Sequence, residues 1–322
     1  MLRRHLVLDL ALAAITTGAI AVGQARPAAQ SAPPAYKEPR PADGHPDLQG
    51  MYDLATLTPL ERRAGAAAVL TEAEAARLEQ AVARQNQRTT LPSSADRAAP
   101  PKGGDGSTGA AGGVGGYNNF WLDAGSSYTI VNGEKRTSIV VDPPDGRVPA
   151  LTAAARQRAV SRVARPTSDA TESRDVGLEP AGSYDNPEQR PLGERCLLGF
   201  ASTAGPPILP TYFYNNLHQI VQTPGYVMIV AEMVHDVRIV RMTSQHLPKN
   251  IRKWMGDSIG RWEGDTLVVE TTNFTDKTRY RGSSEDLRVT ERLTKVGPQA
   301  LLYQFTIDDP STWSRPWKGE YT

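Results

Sequence analysis

Between His218 and Ile307 the chain reads as one extended segment after another, with short turns between them and no sustained helical period. Strands are expected near 218–222, 226–234, 237–242, 266–270, 287–293 and 301–307, and Glu263-Gly264-Asp265 turns the chain into the fourth. Strands this close in sequence leave no room for crossover helices, so neighbours must pair antiparallel. The expected fold is therefore mainly β: an antiparallel lipocalin-like barrel or clam with two peripheral helices. No repeat of fixed period points to a propeller.

Upstream of this block, Asn132-Gly133 lies between extended segments at 128–131 and 136–141. That dipeptide accommodates the positive backbone angles of a tight hairpin. Thr71 with Glu74 three residues on predicts a capping box, and Ala75, Leu78 and Val82 at helical spacing carry the helix to about Gln85. A second helix is expected over 152–163 with Thr152 as its cap, and 167–195 reads as polar loop. The Gly/Ala/Pro-rich stretch 89–116 reads as a linker between an N-terminal extension, 43–88, and a β-rich domain, 117–322. Its Gly112 to Gly116 run has no strand before it and no helix after it, which removes a phosphate loop and, with it, any cofactor signal.

Composition narrows the function classes. The 322 residues carry 36 basic and 35 acidic side chains, a net charge of +1, so there is no electrostatic footprint for nucleic acid. Arg3 and Arg4 precede a nearly unbroken apolar or small run over 6–22, interrupted by Asp9 and followed by Ala21-Val22-Gly23. This predicts a signal peptide over 1–25 and a disordered lead-in over 26–42, hence a periplasmic or secreted mature protein with no membrane span. The single cysteine, Cys196, is unusual for an exported chain.

The stretch from Trp254 to Phe274, WMGDSIGRWEGDTLVVETTNF, together with Glu232-Met233-Val234-His235-Asp236, Arg190 to Cys196, Tyr117 to Trp121, Asp43 to Gly50, Asp309-Pro310 and Arg315-Pro316-Trp317, resembles a family of uncharacterised exported bacterial proteins, frequent in acidobacterial and proteobacterial genomes. The likeness covers nearly all of the chain after the leader and brings no assigned activity. It implies members that continue past this C-terminus into a segment with a second cysteine near a His-Glu pair, and so a disulfide partner for Cys196.

Three constellations bear on chemistry. Gly256-Asp257-Ser258-Ile259-Gly260 fits G-x-S-x-G, but Arg261 to Thr271 reads as turn and strand rather than the helix behind a nucleophile elbow, so Ser258 is expected to be a turn serine. Histidines His45, His218, His235 and His246 show no metal-ligand spacing, and no metal is expected. Strand parity is the sharpest signal. Met233, His235, Val237 and Ile239 would share one face, as would Leu287, Val289, Glu291 and Leu293. If both faces point inward, His235 and Glu291, with Glu232 and Asp236 beside the histidine, become candidate proton carriers. The bland alternative is a core histidine and a structural Glu-Arg pair drawn from Arg238, Arg241 or Arg292. Tyr303 and Phe305 on an aromatic strand, with Arg238 and Trp262, are the candidate ligand contacts. The leading expectation is a protein that holds a small, largely apolar molecule in its β interior, and the alternative is a hydratase, isomerase or hydrolase working in the same cavity.

Overall fold

The computed structural model describes residues 39–41, 44–89, 123–163, 195, 205–211, 215–275 and 280–322. All belong to one compact unit, Tyr36–Thr322. The expected leader, most of the lead-in, all but Thr89 of the 89–116 linker, and Cys196 lie outside the described residues.

Among the described residues thirteen strands and two helices follow in chain order: β1 Gly50–Asp53, β2 Val69–Leu70, α1 Glu72–Thr89, β3 Ile130–Val131, β4 Glu134–Arg136, β5 Val140–Asp142, α2 Ala153–Val163, β6 Leu217–Thr223, β7 Tyr226–Ala231, β8 Val237–Arg241, β9 Asp257–Glu263, β10 Thr266–Thr272, β11 Arg288–Gly297, β12 Ala300–Asp308 and β13 Trp317–Tyr321. Ten form one curled half-barrel sheet in the order β1-β6-β7-β8-β9-β10-β11-β12-β13-β5. All neighbours in it are antiparallel except β8 and β9, which run parallel at Val240↔Ser258 and Arg241↔Ile259. The expected mainly β clam with two helices is the fold observed. Among the described residues no helix is long and apolar enough to cross a membrane.

Local chemistry accounts for the elements. Thr71 Oγ1 accepts from the Glu74 N–H at 3.2 Å while Glu74 Oε2 accepts from the Thr71 N–H at 3.0 Å, so the capping box forms and α1 runs to Thr89. Thr152 caps α2 by accepting from the Ala155 N–H at 3.1 Å. Asn132 and Gly133 take φ of 53° and 79°, which a type I′ turn requires, and pair Val131 with Glu134 in the small sheet β2-β4-β3. The supposed extension 43–88 is not separate from the β-rich part. It supplies β1, an edge strand of the main sheet on β6, and β2, which pairs with β4.

The inner face of the large sheet is a mainly apolar layer interrupted by a few buried polar groups. Across β10, β11 and β12 the rows Val269↔Glu291↔Phe305 and Leu267↔Leu293↔Tyr303 run side by side, all six residues buried. The first row continues to Gly319 on β13, whose missing side chain makes room for the Phe305 ring: a Cβ there would stand 2.3 Å from Phe305 Cζ. Phe305 in turn meets Trp317 edge-on, with centroids 5.6 Å apart. Gly319→Ala should therefore overpack this corner and destabilise the fold by about 1 to 3 kcal/mol. Adding Phe305→Leu to it should recover part of that loss in urea unfolding, since a smaller side chain removes the clash; a Gly319→Ala protein as stable as the native one contradicts this packing.

Candidate functional site

Strand parity holds for Glu291 and fails for His235. Glu291 is completely buried. His235, by contrast, closes a 3-10 turn, Met233–His235, between β7 and β8, has φ of 47°, and is exposed. That turn ends the strand expected to reach Val234 and restarts the alternation, so β8 points Arg238 and Val240 inward and leaves Val237 and Ile239 on the outer face. Val237 and Ile239 face out because the core holds a carboxylate that needs Arg238 on the inner face. His235 and Glu291 are not brought together. Glu232 is also exposed, its Oε2 accepting from the Leu217 N–H at 3.2 Å. Asp236 is half-buried; burial raises its carboxyl above the usual range against the opposing influence of His235.

Glu291 instead sits in a buried hydrogen-bond network. Arg238, 3 % exposed, grips it with both terminal nitrogens, Nη1 on Oε2 and Nη2 on Oε1, the latter at 2.9 Å. Tyr303 Oη donates to Oε1 at 2.8 Å and accepts from the Ile208 N–H at 2.8 Å, while Tyr321 Oη donates to the Ile208 carbonyl at 2.9 Å. Burial disfavours the charged guanidinium of Arg238, yet the charge and hydrogen bonds of Glu291 outweigh it and hold the group above its ordinary value. Burial, seconded by the Glu291 charge, lifts the Tyr303 phenol well above its own. With every oxygen of Glu291 engaged, the network joins β8, β11, β12 and β13 to the 205–211 segment.

Beside this network lies a cavity of about 590 Å³, between β1, β6 and β7 on one side and β11 and β12 on the other. Ile220, Ile229, Leu293 and Leu301 form apolar wall, and Tyr303 and Tyr321 turn ring surface toward it. Of the four residues expected to touch a ligand, Tyr303 alone lines this space. Arg238 is spent on Glu291, and Phe305 is core behind the wall. Trp262 lies elsewhere, stacked on His45 at 4.7 Å and 8°.

Three lining residues escaped the sequence reading. His218 stands in the wall, 2 % exposed, and neither ring nitrogen has a hydrogen-bond partner among the described residues. Burial pushes its ring down to about 4; the nearby Asn216 carbonyl, outside hydrogen-bond geometry, opposes this, and Arg238 adds to it. At neutral pH the ring is uncharged, with one donor and one acceptor unmet. Tyr52, opposite His218 in the β1–β6 register, accepts from Lys295 Nζ at 2.9 Å and donates to the Leu48 carbonyl at 2.9 Å. The signal for His218 was present, since it shares strand parity with Ile220; Tyr52 and Lys295 carry none, because nothing local says that β1 crosses toward β11.

Ser258 lies within β9, not in a turn as expected, and is 2 % exposed, its Oγ 2.8 Å from Thr271 Oγ1. No nucleophile elbow exists there. Its neighbour Asp257 is a buried anchor: burial would raise its carboxyl, but the Leu247 N–H, His246 and Arg241 hold it below the usual value and fasten the 242–256 connection. Among the described residues no three His, Cys, Asp or Glu side chains converge in a way that could hold a metal ion. Comparison with protein-family models, curated proteins and solved structures finds no match to the chain.

Proposed function

We propose that the protein binds a small, largely apolar molecule in the cavity between β1, β6 and β7 and β11 and β12, and that it does so in the periplasm or outside the cell, where its leader-like N-terminus would direct it. One observation carries the reading: an open space of about 590 Å³ within the curled sheet has mainly apolar walls and a buried, unmatched imidazole in one of them. Ligand sites are commonly of this size and composition, with few polar groups that fix orientation. An ordinary core closes such a space, because unfilled volume forfeits dispersion contacts.

A fluorescent apolar dye such as N-phenyl-1-naphthylamine tests it. Saturable binding is expected, weakened about tenfold or more by Leu301→Trp, which fills the cavity from a half-buried position. Binding that does not saturate, or that ignores the filled cavity, rules the site out.

A further inference from the structure

Resting on that reading, we infer that the cavity selects an apolar monocarboxylate that carries a second oxygen, a hydroxyl or carbonyl, on its apolar body apart from the acid. Two polar groups, Lys295 and His218, stand in the cavity wall, and Tyr52 neighbours both. Its Cα faces that of His218 across the β1–β6 pair, and its hydroxyl contacts Lys295 Nζ at the far end of the same side chain.

At one point stands a cation without a counter-ion. Among the described residues Lys295 has no carboxylate within ion-pair distance; its ammonium is held by the Tyr52 hydroxyl and lies 5.3 Å from the centroid of the Tyr52 ring. The one acid on the lining, Asp53, has its carboxylate on the Ala55 N–H at 2.9 Å, and strand parity places it on the opposite face of β1 from Tyr52. Placed over an apolar cavity, such an ammonium favours a single negative charge, and the hydrogen bond it makes to a carboxylate is of the strong, charge-assisted kind.

At the other point stands His218. Its neutral ring has a donor and an acceptor, both without partners among the described residues, and the ring stands in the cavity wall. A hydroxyl can serve either nitrogen; a carbonyl can accept from the protonated one. An unmet buried polar pair is what makes a site discriminate against a ligand lacking its partner. The walls between, Ile220, Ile229 and Leu293, demand an apolar body.

Three fluorescent probes separate the parts of the claim: 6-hydroxy-2-naphthoate, its methyl ester, and 2-naphthoate. On the native protein the hydroxy acid should bind about tenfold more tightly than either of the others, the equivalent of one strong hydrogen bond lost in each comparison. Lys295→Met should erase the preference for acid over ester, and His218→Phe the preference for the hydroxylated over the plain acid. Ester bound as well as acid, or a plain acid bound as well as the hydroxy acid, overturns the inference while the cavity reading stands. Failure of all three to bind where the apolar dye does bind also overturns it; failure of the dye too removes the cavity reading itself. The comparison on native protein decides the question without any variant, so a poorly folding His218→Phe leaves it testable.

Discussion

Arg238→Met is expected to destabilise the protein by about 3 to 5 kcal/mol, more than any other single substitution proposed, because it strands a carboxylate inside the core. Glu291 has no exposed surface and three donors, two of them from Arg238. Without the guanidinium, Tyr303 alone remains to solvate it, and a single neutral hydroxyl does not replace a bidentate cation. Removing both charges should be far milder. Arg238→Met with Glu291→Leu replaces the pair by apolar groups of similar bulk, and buried pairs so replaced are often neutral or better. Urea unfolding of the two single variants and the double variant forms a cycle whose expected signature is a double variant close to native and both singles well below it. Single variants within about 1 kcal/mol of native would show that the pair is not the buried, mutually dependent unit described.

The second large effect is on pH dependence, and its sign is that of acid denaturation: at low pH a buried neutral imidazole must take up charge, which the fold disfavours. The folded ring of His218 takes up a proton only near pH 4, whereas in the unfolded chain it does so near its ordinary 6.5. Between those two values the unfolded state holds more protons, so stability rises with pH there. The contribution of His218 is complete above about 6.5 and is lost as pH falls toward about 4, and the gap corresponds to about 3 kcal/mol. Carboxylates also titrate at the lower end, so the informative quantity is a difference. Unfolding free energies of native and His218→Phe protein, measured at about pH 7.5 and about pH 4.5, should diverge, with the variant losing less on acidification by most of that amount. Equal losses would mean that the imidazole is not enclosed.

Much of the architecture was legible because it follows from rules that act over a few residues. The capping box at Thr71 and Glu74, the Thr152 cap, the Asn132-Gly133 turn and the alternation of β11 and β12 each depend on near neighbours alone. His235 was misplaced because alternation was carried through a segment that breaks into a 3-10 turn, and because hydrophobicity was taken to decide which side of β8 is inside. Once a charged pair occupies the core, that inference inverts: Arg238 goes in, and Val237 and Ile239 remain on the surface. β1 was overlooked for a different reason. Gly50-Met51-Tyr52-Asp53 is short and has no marked pattern, and only its partner β6, far along the chain, makes it a strand. The cavity could not be read from sequence for the same reason, since one of its walls is β1.

That dependence on β1 has a kinetic side. Strands β9 to β12 join through near neighbours and can assemble with little loop closure, whereas seating Gly50–Asp53 on Leu217–Thr223 requires most of the intervening chain to be gathered first. The β1 wall of the cavity is therefore expected to seat late, on a sheet whose core is already in place. A lesion in β1 should leave the near-UV signature of tertiary packing nearly whole and yet abolish binding of the apolar dye.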